Sequence, residues 1–278
     1  MGSAAAPSGG IPAGPACACV SVWFNTPAMQ TSSRGFQIHY TVAGEGPPLM
    51  LVAPTLGAAA HWFDAGYVAA LAPSWRVINV DPLGHGNSDT PHDPDAYEAA
   101  GVTQDLVAVL DAEGVDRATV WGYSRGGWLT CSLAAAHPER VDRIVVGGFA
   151  MHAHEDEVAR LLAPLAGFLR RSDWASLWQA LGVSDVGFQK MIEDANDPLA
   201  VAAAIDGSLR PTRLIDSAAV RCPASYYVGS EDRIVPHVRT DVQALGATLD
   251  VIAGQAHAGA FFAAAEPVLG AVRLRLQP

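Results

Sequence analysis

The stretch TVWGYSRGG, residues 119–127, passes from a short apolar run into a segment with helical periodicity that extends to residue 136. A continuous apolar run of this length indicates a strand that is buried on both faces of a parallel sheet. The spacing Gly-x-Ser-x-Gly predicts a sharp turn between this strand and the helix, with glycines where the two elements approach closely. Such a turn holds the hydroxyl of Ser124 clear of the backbone, as a nucleophile requires.

Strands and helices alternate on both sides of this turn. Short apolar or alternating runs predict strands at residues 36–42, 49–53, 77–80, 119–121, 144–146, 225–228 and 248–252. Helical spacing of apolar residues predicts helices at 61–71, 97–113, 125–136, 238–245 and 259–274. This alternation is typical of an α/β protein with a mostly parallel central sheet and helices on both faces. In such sheets the functional residues lie at the carboxyl ends of the strands.

One long segment contains no predicted strand. Between residues 151 and 213 only helical patterns occur, at 156–169, 174–181, 186–194 and 199–209. An insertion of this kind is expected to cover the strand ends as a helical cap, and it is too short for an ordinary independent domain. We therefore predict a core at 29–150 and 214–278, a cap at 151–213 and a flexible N-terminal extension at 1–28.

The composition restricts the class of partner. Hydrophobic residues make up 50% of the 278-residue chain, which is enough for one large core. The formal net charge of −11 repels polyanions, so we expect a small-molecule substrate and neither nucleic acid nor an anionic membrane as partner. No apolar run is long enough to span a bilayer, and the first residues lack the basic start of a secretory signal, which predicts a cytoplasmic protein. The four cysteines are too few and too scattered for a disulfide framework or a zinc site.

Four further segments accompany the Gly-x-Ser-x-Gly turn, and together they resemble the α/β-hydrolase superfamily over about residues 30–278. DPLGHGNSD, residues 81–89, is similar to the family's D-x-x-G-x-G-x-S-D loop, which is structural, so His85 is expected to be packed rather than catalytic. GSEDRIVP, residues 229–236, resembles the acid loop G-x-x-D-x-x-V-P. GQAHAG, residues 254–259, follows the last predicted strand, where family members carry their catalytic histidine, although Ala256 stands where relatives usually have Gly. APTLG, residues 53–57, stands where the family usually has His-Gly-x-Gly.

The resemblance implies a catalytic triad in the chain order nucleophile, acid, base. Ser124 is the predicted nucleophile, and His257 is the predicted base that takes its proton and returns it to the leaving group. Asp232, rather than its neighbour Glu231, is the predicted carboxylate that orients the imidazole and stabilises the imidazolium.

The resemblance also implies an oxyanion hole made of two backbone amides, those of Leu56 and Arg125. Pro54 and Thr55 replace the family's usual His and Gly, but the hole survives this change because its donors are main-chain groups. Thr55 is β-branched and disfavours a positive φ, so the substitution allows a different turn, with the threonine hydroxyl facing the pocket.

The pocket residues are predicted from their places in this pattern. Thr55 lies in the oxyanion loop, Trp128 follows the nucleophile turn, Phe149 follows a strand end, and Trp174 and Trp178 lie in the cap. They indicate an apolar pocket, although aromatic residues at helical spacing are also typical of the interior of a cap. An apolar cap is equally able to form a dimer contact, so a homo-oligomer is possible.

The predicted function is a serine hydrolase that cleaves a carboxylic ester or lactone through an acyl-Ser124 intermediate, with no cofactor and no metal. Two alternatives use the same triad: hydrolysis of carbon–carbon bonds and cofactor-free formation of peracids. A third alternative is a non-catalytic, receptor-like ligand-binding homologue. Relatives with an aspartate nucleophile, the epoxide hydrolases and dehalogenases, are disfavoured because residue 124 is Ser.

Overall fold

A computed structural model describes residues 28–153, 155–210 and 215–276 of the chain. Eight strands form a single sheet in the order β1-β2-β4-β3-β5-β6-β7-β8. They are β1 (Ala28–Ser33), β2 (Phe36–Ala43), β3 (Pro48–Val52), β4 (Arg76–Val80), β5 (Ala118–Tyr123), β6 (Val141–Gly147), β7 (Ala224–Gly229) and β8 (Thr248–Ile252). The strands from β3 to β8 are parallel to one another, whereas β2 is antiparallel to both β1 and β4. The predicted α/β fold class with a mostly parallel sheet is confirmed.

The helices connect these strands. They are α1 (Ala59–Asp64), α2 (Tyr67–Leu71), α3 (Ala99–Ala112), α4 (Arg125–Ala136), α5 (Glu155–Arg170), α6 (Trp174–Leu181), α7 (Val186–Ala195), α8 (Pro198–Ser208), α9 (Val235–Leu245), α10 (Gly259–Phe262) and α11 (Ala265–Leu276). A short 3-10 turn, Pro94–Tyr97, precedes α3.

The core has two layers because the side chains of the central strands alternate between the faces of the sheet. From β3, Met50 and Val52 pack into the cluster that contains residues of α3 and α4. Leu49 and Leu51 pack into the opposite cluster with residues of α1, α2 and α11. This arrangement explains why the central strands read as continuous apolar runs rather than as alternating ones.

Four predicted helices differ from the observed ones, and the sequence did not predict β1. The helix expected at 238–245 begins three residues earlier, at Val235, with Pro236 in its first turn. The helix expected at 61–71 is divided into α1 and α2 because Gly66 adopts a left-handed φ of 83° between them. The helix expected at 259–274 is divided into α10 and α11, with Pro267 in the first turn of α11, where its missing N–H has no cost. The helix expected at 97–113 begins two residues later, after the 3-10 turn. β1 is an edge strand held by its pairing with β2, from Met29 opposite Tyr40 onward.

Helices α5 to α8 follow one another between β6 and β7, and residues of α5, α6 and α8 form a small apolar cluster of their own. The side chain of Leu56, from the loop after β3, packs against this cluster. The division into core and cap stays a prediction, and its boundary at residue 213 lies outside the described residues. The predicted N-terminal extension is likewise outside them, except for Ala28, which begins β1.

Asp241 of α9 ties the end of β6 to the core. Its buried carboxylate accepts hydrogen bonds from the backbone N–H of Met151 (2.6 Å) and of His152 (3.0 Å). The same carboxylate contacts Nδ1 of His152 at 2.6 Å. The carboxylate therefore satisfies the backbone donors at the point where the chain leaves the sheet for α5.

Replacing Asp241 by Ala is expected to destabilise the protein by about 3 kcal/mol, because backbone donors would be left unpaired beside an apolar cavity. Urea unfolding followed by circular dichroism measures this change. Asp194→Ala is the control, since Asp194 forms only an exposed pair with Lys190 on α7 and its loss should have little effect. Equal stability of Asp241→Ala and the wild type would contradict the anchoring role.

Candidate active site

Ser124 lies between β5 and α4 in a strained turn, with φ 53° and ψ −117°. The glycines on either side of it are required by close packing. A Cβ on Gly122 would lie 2.0 Å from the carbonyl oxygen of Gly126, and a Cβ on Gly126 would lie 2.1 Å from the carbonyl oxygen of Val52. The predicted close approach of strand and helix is confirmed, and the turn presents the serine side chain at the carboxyl end of β5.

The structure brings together the side chains of Ser124, His257 and Asp232. Nε2 of His257 lies 3.0 Å from Oγ of Ser124, and its Nδ1 lies 2.6 Å from Oδ2 of Asp232. The carboxylate fixes the tautomer, because Nδ1–H donates to Asp232 and leaves Nε2 free to accept the serine proton. Glu231 is exposed, whereas the side chain of Asp232 is 5% exposed and receives a further bond from the Ile234 N–H (3.2 Å).

Tyr123 positions the loop that carries His257, a role that the sequence did not reveal. Its hydroxyl donates to the backbone carbonyl of His257 at 2.5 Å, and the two rings are 5.4 Å apart. The residue occupies the variable place before Ser124, on a strand whose apolar pattern indicated only a core role. No feature of the sequence distinguishes such a hydroxyl from an ordinary buried tyrosine.

The loop after β3 makes a tight turn in which the Gly57 N–H donates to the Pro54 carbonyl at 2.9 Å. Leu56, with φ 61°, carries the left-handed conformation, and Thr55 does not. The β-branched residue therefore avoids the strain that the sequence suggested for it. The Arg125 N–H is at the first position of α4, where backbone donors have no partner within the helix. The roles of Leu56 and Arg125 as oxyanion donors stay predictions.

Asn196, which directly follows α7, holds this loop by hydrogen bonds. Its Nδ2 donates to the carbonyl of Leu56 (3.2 Å) and to that of Ile192 (2.8 Å). The residue was not predicted, because its position in the sequence gives no sign of a contact with a loop 140 residues away. The amide links the proposed oxyanion loop to α7.

Replacing Asn196 by Ala is expected to lower kcat about tenfold. Loss of a complete oxyanion donor lowers kcat by about 10² to 10³, and displacement of the loop should cause part of that loss. Kinetics on an ester substrate measures the change. Gln189→Ala is the matched control, since that amide also caps a backbone carbonyl near α7, that of Val183 (2.8 Å), without touching the loop. Equal loss of kcat in the two variants would exclude the positioning role.

The predicted pocket residues lie in three places. Trp128 and Phe149 are buried in the core cluster, and Thr55 is partly exposed in the oxyanion loop. Trp174 and Trp178 of α6 stack on each other, with ring centroids 5.7 Å apart, and the Trp178 indole donates to Glu193 (2.6 Å). Their contact with a substrate stays a prediction.

A different aromatic contact, not predicted, joins α7 to α10, the short helix that follows His257. Phe188 of α7 meets the edge of Phe262 of α10, with ring centroids 4.8 Å apart. Phe262 in turn packs at 5.8 Å against His61 of α1.

The loop after β4 is organised by Asp81, which is buried. Its carboxylate accepts from the Ala59 N–H (2.6 Å) and the Asn87 N–H (3.1 Å), and it contacts Nδ1 of His39 at 2.7 Å. His85 in the same loop is fully buried, with Nδ1 3.3 Å from the Leu83 carbonyl, and burial lowers its pKa to about 3. His85 is thus a packed, neutral side chain, as the sequence predicted.

The described residues contain no group of three or more His, Cys, Asp or Glu side chains arranged to hold a metal ion. Within the same residues, none of the helices has the length and apolar character that a membrane span needs.

Comparison with known proteins agrees with this fold. The family model for the alpha/beta hydrolase fold matches residues 48–173. The crystal structure of the enol-lactonase from Burkholderia xenovorans is similar to this fold, with a TM-score of 0.78 and 23% sequence identity. The match covers 90% of this chain and 100% of the enol-lactonase chain. The family match and the structural likeness show that the chain has the α/β-hydrolase fold.

Relatives found by sequence match most of the chain or a part of it. An uncharacterized protein of Mycobacterium tuberculosis is 26% identical over 260 residues, which cover 81% of this chain and 74% of that protein. The 2-hydroxymuconate semialdehyde hydrolase of a Pseudomonas species is 38% identical over 121 residues, 42% of each chain.

Proposed function

We propose that this hydrolase cleaves a carboxylic ester or lactone of a small, largely apolar substrate through an acyl-Ser124 intermediate. The observation that carries the proposal is the hydrogen-bonded chain from Ser124 through His257 to Asp232, with distances of 3.0 and 2.6 Å. This chain supplies a nucleophile, a base and an oriented carboxylate, which are the parts that acyl transfer needs. The net charge of −11 supports a small-molecule substrate in preference to a polyanion. A cytoplasmic location and a homo-oligomer belong to the same proposal.

In the first half of the proposed reaction, His257 takes the proton of Ser124 as Oγ attacks the substrate carbonyl. Backbone N–H groups of Leu56 and Arg125 stabilise the oxyanion of the tetrahedral intermediate, and Asp232 stabilises the imidazolium. The intermediate expels the alcohol oxygen, which receives the proton from His257. In a lactone this alcohol stays attached to the acyl group as a hydroxyl.

In the second half, His257 activates a water molecule that attacks the acyl carbon, and Ser124 leaves with the returned proton. The products are a carboxylic acid and an alcohol, or a hydroxy acid from a lactone. No step requires a metal or an organic cofactor.

The choice among reactions rests on the nucleophile. Serine at position 124 favours acyl transfer over the epoxide-opening and dehalogenating reactions that depend on an aspartate. The likeness to an enol-lactonase supports an ester or lactone, whereas the partial likeness to 2-hydroxymuconate semialdehyde hydrolase makes carbon–carbon bond hydrolysis the main alternative. Peracid formation and non-catalytic ligand binding are further alternatives on the same residues.

A substrate panel separates these reactions. We expect turnover of short 4-nitrophenyl esters and of five- and six-membered lactones, and a smaller or absent rate on vinylogous diketones, which test carbon–carbon cleavage. Turnover of the diketones alone would replace the ester proposal by the carbon–carbon one. Saturable ligand binding with no product from any class would favour the receptor-like alternative.

A further inference from the structure

The side chain of Arg125 is buried beside the candidate nucleophile without a hydrogen-bond acceptor. The residue is 7% exposed, and Nε, Nη1 and Nη2 are all shielded from solvent with no acceptor among the described residues. Nε2 of the fully buried His85 likewise has no partner in this part of the chain. Two polar side chains close enough to interact electrostatically thus lie unsatisfied in one interior region.

The polar groups around Arg125 are committed to other partners. Asp105 of α3 receives two bonds from Arg34, at 3.0 and 2.6 Å, and the hydroxyl of Tyr97 donates to the Pro91 carbonyl at 2.6 Å. The guanidinium carbon lies 5.7 Å from the centre of the Trp128 ring. The Trp128 ring and the more distant Asp105 carboxylate therefore attract the Arg125 guanidinium electrostatically, but neither accepts a hydrogen bond from it.

A guanidinium in this situation is costly to the fold. Burial lowers the pKa of Arg125 to about 10, so the group keeps its positive charge at neutral pH. A buried charge without a partner destabilises a protein strongly, and unsatisfied groups of this kind concentrate at functional sites. The five N–H donors of arginine form a planar fork that matches a carboxylate.

We infer that the Arg125 guanidinium binds a carboxylate on the acyl part of the substrate, an inference that rests on the proposed ester or lactone hydrolysis. The backbone N–H of this same residue is the proposed oxyanion donor. The backbone N–H of Arg125 would thus contact the scissile carbonyl while its guanidinium contacts the carboxylate. Because both contacts come from one residue, only a short carbon chain separates the two substrate groups. The substrate class is then a half-ester or a carboxyl-bearing lactone of a short dicarboxylic acid, with His85 bordering the acid group.

The first test compares two esters that differ in the terminal group, mono-4-nitrophenyl glutarate and 4-nitrophenyl pentanoate. The wild type is expected to prefer the glutarate, and Arg125→Met is expected to lower the ratio of the two kcat/KM values about 100-fold. The ratio cancels effects on the shared chemistry, including those on the backbone of residue 125. Arg170→Met is the matched control, because Arg170 pairs with Asp206 at the cap surface and its loss should not change the ratio.

The second test measures binding without turnover. Glutarate, compared with chloride at equal ionic strength, is expected to raise the Tm of the wild type and of Ser124→Ala but not that of Arg125→Met. Arg125→Met by itself should not lower the Tm, because it removes an unpaired buried charge. A large loss of stability would overturn the inference, since it would show that the guanidinium already has its partners within the chain.

The outcomes separate the inference from the proposed function. If both esters are hydrolysed with the same ratio in wild type and Arg125→Met, and glutarate leaves every Tm unchanged, the carboxylate site is wrong and the hydrolase proposal stands. If neither ester is hydrolysed but glutarate raises the Tm only when Arg125 is present, the anion site stands and ester hydrolysis is wrong.

Discussion

Replacing Ser124 by Ala is expected to lower kcat on an ester substrate by about 10⁶-fold, the scale of losing the nucleophile of a serine triad. The acyl intermediate cannot form without Oγ, which lies 3.0 Å from Nε2 of His257. A fluorophosphonate probe followed by intact mass measurement tests the same atom directly. The wild type should gain the mass of the probe and Ser124→Ala should not.

Ser132→Ala provides the matched control for this experiment. Ser132 lies two turns further along α4 and is buried, so the variant makes the same chemical change on the same helix away from the strained turn. It should keep both labelling and turnover. Equal labelling of the wild type and Ser124→Ala would remove the nucleophile assignment and with it the proposed reaction.

Replacing Asp232 by Asn is expected to lower kcat by about 10⁴-fold, because the amide holds the wrong imidazole tautomer. The Ile234 N–H donates to Oδ1 of Asp232, so the carbonyl oxygen of the new amide should stay there and its NH₂ group should face His257. A donor in that place requires Nδ1 to accept a hydrogen bond, which puts the proton on Nε2. Nε2 then cannot take the proton of Ser124.

Steady-state kinetics on Asp232→Asn and on Glu231→Gln distinguishes the two neighbouring carboxylates. Glu231 is exposed, and the same change there should leave kcat as it is. If Glu231→Gln were the inactive variant and Asp232→Asn the active one, the loop would act through the other carboxylate and the geometry described above would not be that of the working enzyme.

The substrate class depends on how the Arg125 guanidinium is used. A chain with a net charge of −11 does not attract anions as a whole, so binding of an acidic substrate would depend on a local, buried cation rather than on long-range steering. Such binding should therefore respond less to salt than attraction by an exposed basic surface does.

Local patterns were sufficient for the central sheet, and the resemblance to the α/β-hydrolase superfamily indicated the three predicted triad residues. The parallel strands are apolar runs bounded by turns, and the glycines around Ser124 are fixed by contacts within a few residues of it. His257 and Asp232 follow strands whose order along the chain is visible, and strands of a parallel sheet end at the same edge. The helix boundaries were less certain, because Gly66 and Pro267 interrupt patterns that are periodic on either side.

By itself, the sequence determined the α/β fold class, the position of the strained turn and the identity of the Ser, Asp and His that meet at the sheet edge. Only the tertiary structure decided that Leu56 takes the left-handed turn and that Tyr123 and Asn196 hold the loops around the site. It also decided that the Arg125 side chain is buried with no acceptor among the residues that the structure describes. The physical reason is the separation along the chain of the groups that interact. Periodicity and turn chemistry act between neighbours in the chain, whereas hydrogen-bond partners and burial depend on groups that folding brings together from distant segments.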